Sequence, residues 1–309
     1  MGLRSLRELV PPYNKAPSIS TGNRRPVILA VMSPHPSYVR VFLTFARNSL
    51  VRDMTFRGNF LIECISSLSW MSMNLGFYLL IFKFTPSIGV GTGWGKYEFF
   101  IFLSTTLFVN SLVEAFFMPN TEEFSEMIRT GGLDFALLKP IDTQFLISLA
   151  KIDWSSLSNF LFALVLLGYS LAHVAFTPSL LQVLLYPLYV LCGVAIFYSL
   201  IISLAATSIW LGRNQSLYDF WFYITNFSRY PMEIYQGPVG APLRVAFTFV
   251  VPVLIVVNVP ARILAKPLFG PDHETLWLAG FAILATLGSL AASRWLFVRA
   301  LESYRSASS

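Results

Sequence analysis

Of 309 residues, 55% are apolar and only 12% are charged, about half the charge that a soluble domain carries. A water-facing surface over most of the chain is thereby excluded, and lipid is the solvent that such a composition fits. The net charge of +6 gathers at the N-terminal end and between apolar runs, which suits membrane orientation and argues against a nucleic-acid partner.

Residues 1–36 contain Pro11, Pro12, Pro17, Pro26, Pro34 and Pro36, which break any long helix; they read as a flexible cytoplasmic tail. The first apolar run of spanning length begins near Phe60, beyond the window of a signal peptide. Residues 37–59 wind into an amphipathic helix. Arg40, Thr44, Arg47 and Asn48 fall on one face, and Tyr38, Phe42, Phe45, Leu50 and Met54 on the other. Such a helix lies in the headgroup region, with Arg40 and Arg47 toward anionic lipid and the rings toward the acyl chains.

Residues 60–300 then read as an all-α permease domain of six spans, at about 60–82, 97–118, 155–176, 180–210, 242–265 and 276–298. At ~1.5 Å per residue the fourth run exceeds a hydrocarbon core of about 30 Å, so it tilts or kinks, with Pro187 the natural place. Tyr218–Phe227 is too short to span and reads as an interfacial or half-inserted helix. Residues 301–309 form a short cytoplasmic tail. Nine Lys and Arg lie in residues 1–59, and the positive-inside rule places both termini in the cytoplasm.

The stretch Gly89 to Lys96 invites a phosphate-loop reading, but Val90 stands where the first glycine belongs and Tyr97 where Ser or Thr should follow the lysine. It reads as a flexible external loop. Cys64 and Cys192 stand apart in apolar runs, and His35, His173 and His273 are scattered, so the sequence offers no metal-ligand spacing. Glu63, Asp153, Asp219, Arg244, Arg262 and Arg294 lie near span ends, where snorkelling accounts for them. Glu114, with Asn110 one turn before it, is the candidate for a buried role in a transport pathway. Ala285, Ser289 and Ser293 give the sixth span a small-residue face, whose partner helix is either internal or in a second subunit. Aromatic-rich spans fit an apolar or amphipathic cargo, and lipid contact explains them as well.

The connection 119–153 has the most local detail. Thr121-Glu122-Glu123 opens a helix toward Arg129, and Thr130-Gly131-Gly132 stops it. A short amphipathic piece from Leu133 to Pro140 follows, and Ile141-Asp142-Thr143 opens another helix. A helix–turn–helix of this size at the cytoplasmic face is either a docking surface for a soluble partner or a connector.

The run from Thr130 through Phe145 resembles the G-x-L-D-x-x-L-L-[KR]-P-[LI]-[DN] segment of prokaryotic ABC exporter permeases of the type-2 class. Phe56-Arg57-Gly58-Asn59-Phe60, Arg229-Tyr230-Pro231 and Phe247-Thr248-Phe249-Val250-Val251-Pro252 resemble three further patches of those permeases, in the same order. The resemblance implies a permease that pairs as a homodimer or heterodimer in the inner membrane. It also implies a separate pair of cytoplasmic ATPases, which hold ATP and Mg while this chain holds no cofactor. The ATPases would dock on about residues 120–142. Within that element Glu122, Glu123, Glu126 and Asp134 are available to basic groups of the partner, and Leu133, Leu137 and Leu138 to an apolar groove. Arg129, Gly132, Lys139, Pro140 and Asp142 complete the segment. The alternative reading is an ion-coupled secondary carrier or channel.

Overall fold

The computed structural model describes residues 37–89, 92–175, 177–211, 215–268 and 274–304. The tail 1–36, Val90 and Gly91 of the glycine-rich stretch, Arg213, His273 and residues 305–309 lie outside the described residues. Among the described residues all regular structure is helical, as lipid demands of a backbone that must satisfy its own hydrogen bonds.

Helix α1 (Tyr38–Thr55) breaks from α2 (Arg57–Phe84) at Phe56. Part of the apolar face expected to enter lipid packs on the chain itself. Tyr38 meets Phe145 edge-on at 4.9 Å, and Phe42 meets Phe116 at 6.3 Å. The backbone N–H of Ile152 donates to Ser49 Oγ at 3.0 Å, and the Trp154 indole donates to the Ala46 carbonyl at 3.3 Å. The apolar side of α1 left open is a stripe of Val39, Leu43, Leu50 and Met54, beside exposed Arg40 and Arg47.

α2 has no buried residue. α3 (Lys96–Phe116) passes through one irregular residue, Phe117, into α4 (Met118–Thr130). Two short helices follow, α5 (Gly132–Leu137) and α6 (Thr143–Leu149). After them come α7 (Leu157–His173), α8 (Leu180–Leu211) and α9 (Gln215–Asn226). α10 (Gly237–Val245) runs into a π-helical turn, Ala246–Val250, before α11 (Val253–Ala265) and α12 (Glu274–Ser303). Among the described residues, Arg57–Phe84, Lys96–Thr130, Leu180–Leu211 and Glu274–Ser303 are each long and apolar enough to cross a membrane, and α7 is a shorter apolar helix.

The fifth span expected at 242–265 is bent in two. Gly237–Val250 and Val253–Ala265 meet at 88°. Pro252 supplies no N–H and bars Val251 from helical backbone, and Val251 is extended at φ −117 and ψ 92. The segment 218–227, expected to be interfacial or half-inserted, lies mostly in α9. Trp221 is buried against Phe197 of α8, with ring centroids 5.0 Å apart, while Phe220, Phe222 and Tyr223 are exposed, so one side of α9 meets the bundle.

α8 and α11 form the centre. Every residue of α11 is buried. A Cβ added at Gly193 of α8 would lie 2.6 Å from the Val256 carbonyl oxygen of α11, so only glycine allows this close crossing. On α12, Ser293 is buried with Ala282 and Thr286, Ala285 and Ser289 are half-buried, and the helix packs chiefly on α8. The small-residue face therefore has an internal partner. Hydroxyls inside the bundle bond back to their own helices, as Thr105 does to the Ile101 carbonyl at 2.8 Å. Such bonding removes the cost of an unpaired hydroxyl in an apolar medium.

Two ends of the bundle follow from long-range contacts. At one, which we call the Trp94 end, the start of α8 meets the end of α11: Gln182 Nε2 donates to the carbonyls of Ile263 and Lys266 at 2.7 and 2.9 Å. Lys266 Nζ sits 4.6 Å from the centroid of the buried Trp94 ring. The described part of the glycine-rich loop is anchored there, since the Ile88 N–H donates to the Trp94 carbonyl at 3.0 Å. The flexible loop expected from its glycines is thus held at both of these residues. At the other end, the Asp142 end, Phe124 of α4 meets Phe297 of α12 at 6.0 Å.

Candidate functional site

The hairpin α4–α5–α6 projects at the Asp142 end. Thr121, expected to cap its first helix, is instead buried inside α4, with its hydroxyl 2.9 Å from the Met118 carbonyl. The stop at Gly131 is as expected, with φ +76 in the left-handed region that glycine tolerates. Asp142 caps α6 by accepting the Phe145 N–H at 2.9 Å.

The inner side of the hairpin is fixed to the bundle. Leu133 is completely buried, together with Phe124, Ala136, Leu146 and Ile147, against Ile202, Ala205, Phe297 and Ala300. It therefore has no surface to offer a partner groove. Asp142 is likewise committed: Arg294 of α12 donates to it at 2.6 Å and to Gln144 Oε1 at 2.9 Å. Gln144 and Ser148 in turn meet the Tyr198 hydroxyl of α8, each at 2.9 Å. Burial opposes ionisation of Asp142. The guanidinium of Arg294 and the Phe145 N–H outweigh that and hold its carboxyl below the usual carboxylate range.

The other acids differ in how free they are. Glu123 pairs with Lys151 at 2.7 Å, and Glu126 takes the Arg129 Nε at 2.8 Å. Asp134 lies beside Tyr304; burial first, and then that carboxylate, push the phenol up from its usual range. Glu122 is exposed. Gly132 opens α5 directly after the turn. The outer side of the tip is apolar and open: Phe135 is 71% exposed, Leu138 81% and Leu137 40%, flanked by exposed Lys139 and Pro140. Phe135 was not singled out in the sequence. Its signal was available, because in a helix Leu133, Ala136 and Leu137 share one side while Phe135 and Leu138 point away from it.

Asn110 and Glu114 are brought together, one turn apart on α3, in the wall of a cavity of about 470 Å³. α2 supplies Trp70, Asn74 and Tyr78, α7 supplies Asn159, and the turn after α9 supplies Arg229 and Tyr230. None of these six was a sequence candidate, since nothing local links them to Glu114. At the Trp94 end a third polar group closes on itself. Arg262, 4% exposed, donates to Glu233 at 2.8 Å and reaches Glu274 at 3.2 Å, while Lys266 meets Glu233 at 3.1 Å and Arg244 meets Glu274 at 2.6 Å. The snorkelling expected of Arg262 fails, because the bend at Pro252 carries it into the protein interior. Among the described residues, no group of three His, Cys, Asp or Glu is placed to hold a metal ion.

A bundle of long apolar helices, with a polar recess between them and a folded hairpin at one end, defines a multi-pass membrane protein of the transporter type. The sequence model described as ABC-2 family transporter protein matches residues 68–308, and the chain belongs to that family. Permeases of this family are the membrane components of transporters that work with ABC ATPases. Comparison with curated proteins and with solved structures finds no match. Hairpin and cavity walls fall almost wholly inside the matched residues, whereas α1, with Arg40 and Arg47, precedes them.

Proposed function

We propose that the chain is the permease subunit of an ABC exporter in the cytoplasmic membrane of a prokaryote, driven by a separate ATPase pair that carries ATP and Mg and docks on the hairpin 118–149. The observation that carries this reading is the two-sided hairpin. Its inner side is bolted to α8 and α12 through Leu133, Asp142 and Arg294, and its outer tip presents Phe135 and Leu138 to water. A lever needs a rigid joint to the spans and a sticky free end, because force applied to a loose connector dissipates in its own motion.

Six crossings fit the contacts best. α2, α7 and the run from α9 to Ile234 go toward the Trp94 end, while α3, α8 and α12 go away from it. The hairpin 237–265 then enters and leaves at the Trp94 end, since Glu233 before it and Lys266 after it pair at 3.1 Å. Even parity puts both termini on the cytoplasmic side with the hairpin, in keeping with the basic residues there. The unburied α2 suits a second permease subunit, identical or different. α1 suits the membrane surface, with Val39, Leu43, Leu50 and Met54 toward acyl chains and Arg40 and Arg47 at anionic headgroups. The cavity holding Asn110 and Glu114 belongs to the transport pathway.

The test is site-specific crosslinking. In a chain with Cys64 and Cys192 replaced by serine, a cysteine introduced by Leu138→Cys should crosslink to the ATPase in a complex that still hydrolyses ATP. Failure to crosslink in a complex that hydrolyses and transports would overturn the docking site.

A further inference from the structure

Resting on the transport reading above, we infer that the cavity between α2, α3 and the Arg229–Tyr230 turn takes a zwitterion, a ligand or headgroup that carries both an ammonium and an anionic group. Two opposite charges face the same space of about 470 Å³, a volume suited to a small molecule. Glu114 stands on α3 and Arg229 follows α9, within electrostatic reach of each other. Neither belongs to an ion pair among the described residues; Arg229 only rests on the Phe222 ring, at 5.6 Å. The two charges line one cavity and are not spent on each other.

The remaining wall agrees with a zwitterion. Asn159 is 5% exposed, and its Oδ1 has no partner, while its Nδ2 is 3.5 Å from Ser67 Oγ. A buried acceptor left open is costly, and its partial negative charge favours the ammonium end of a ligand beside it. Trp70, Tyr78 and Tyr230 line the same space, and aromatic faces attract ammonium groups.

Charge balance selects among cargo classes. A neutral solute displaces water from both Glu114 and Arg229 and returns no charge to either. A simple cation or anion satisfies one and strands the other. A zwitterion satisfies both and leaves the cavity as neutral as before.

The test uses the full chain, alone and in complex with its ATPase, in maltoside micelles that contain no zwitterionic lipid. Binding is measured by equilibrium dialysis for two zwitterions, glycerophosphocholine and glycine betaine, and for choline, dimethyl phosphate and glycerol. At least one zwitterion should bind roughly tenfold or more tightly than each singly charged or neutral probe, and Glu114→Gln and Arg229→Gln should each weaken it by about tenfold, as loss of one charged hydrogen bond implies. Equal binding of choline or dimethyl phosphate, or no preference for either zwitterion, overturns the inference with the unmodified chain alone, whatever the variants do. Co-purification with the ATPase separates the two readings. A complex that forms and hydrolyses ATP without zwitterion preference sinks this inference only, whereas zwitterion binding by a chain that never recruits an ATPase sinks the transport reading and leaves the site.

Discussion

Two hairpins join the bundle from opposite ends, and they are built to opposite rules. The hairpin at the Trp94 end, residues 237–265, buries every residue of its second helix and closes Arg262, Lys266 and Arg244 on Glu233 and Glu274. The hairpin at the Asp142 end fixes only one side and leaves Phe135 and Leu138 open. Composition already separates them in part, since residues 118–149 hold seven charged residues and residues 237–265 only two. The larger difference is whether the charges and the apolar surface are satisfied within the chain. A segment whose valences are all met is a fixture; one with an apolar tip unmet in water is a contact waiting for a partner.

The contrast can be broken by substitution. The largest effect on stability is expected from Arg262→Ala, which leaves Glu233 largely buried with Lys266 as its one remaining ion-pair partner among the described residues. Loss of one member of a buried pair costs roughly 3–5 kcal/mol, and Lys266 keeps the figure near ~3, read as the shift in an SDS-titration unfolding equilibrium. Leu133→Ala should follow closely at about 2–3 kcal/mol, because a fully buried leucine becomes a cavity under the hairpin. If Leu133→Ala proved neutral, the inner side of the docking hairpin would not be fixed, and its reading as a lever would fail.

A smaller effect is expected from Asp142→Asn, about 1 kcal/mol at pH 7 once the half exposure of Arg294 is discounted. Because the folded value of Asp142 lies below its unfolded value near 3.9, its contribution is present above about pH 4 and is lost as the pH falls through the folded value. Parent and Asp142→Asn proteins should therefore differ in thermal midpoint at neutral pH and converge once the pH is taken below the usual carboxylate range. Smallest of all on stability is Leu138→Asp, within about 0.5 kcal/mol for an exposed site. Its co-purification with the ATPase should nevertheless fall by tenfold or more, since apolar anchors dominate such contacts. A variant with unchanged ATPase recovery would show that the open tip is not the contact.

Much of this protein could be read along the chain. Apolar run lengths located the long helices, Gly131 and Asp142 marked the turns of the hairpin α4–α5–α6, and the one-turn spacing of Asn110 and Glu114 marked one wall of the cavity. Each is a local property, fixed by residues within a turn or two of one another. Tertiary structure alone decided that 237–265 folds back at Pro252, that α9 packs on Phe197, that Leu133 turns inward while Phe135 turns out, and that Arg229 and Asn159 join Glu114. The physical reason is the solvent. In water, a buried face is apolar and an exposed face is polar, so the pattern tells them apart. In lipid both faces are apolar, and only the contacts between distant helices reveal which one is packed and where a polar recess forms.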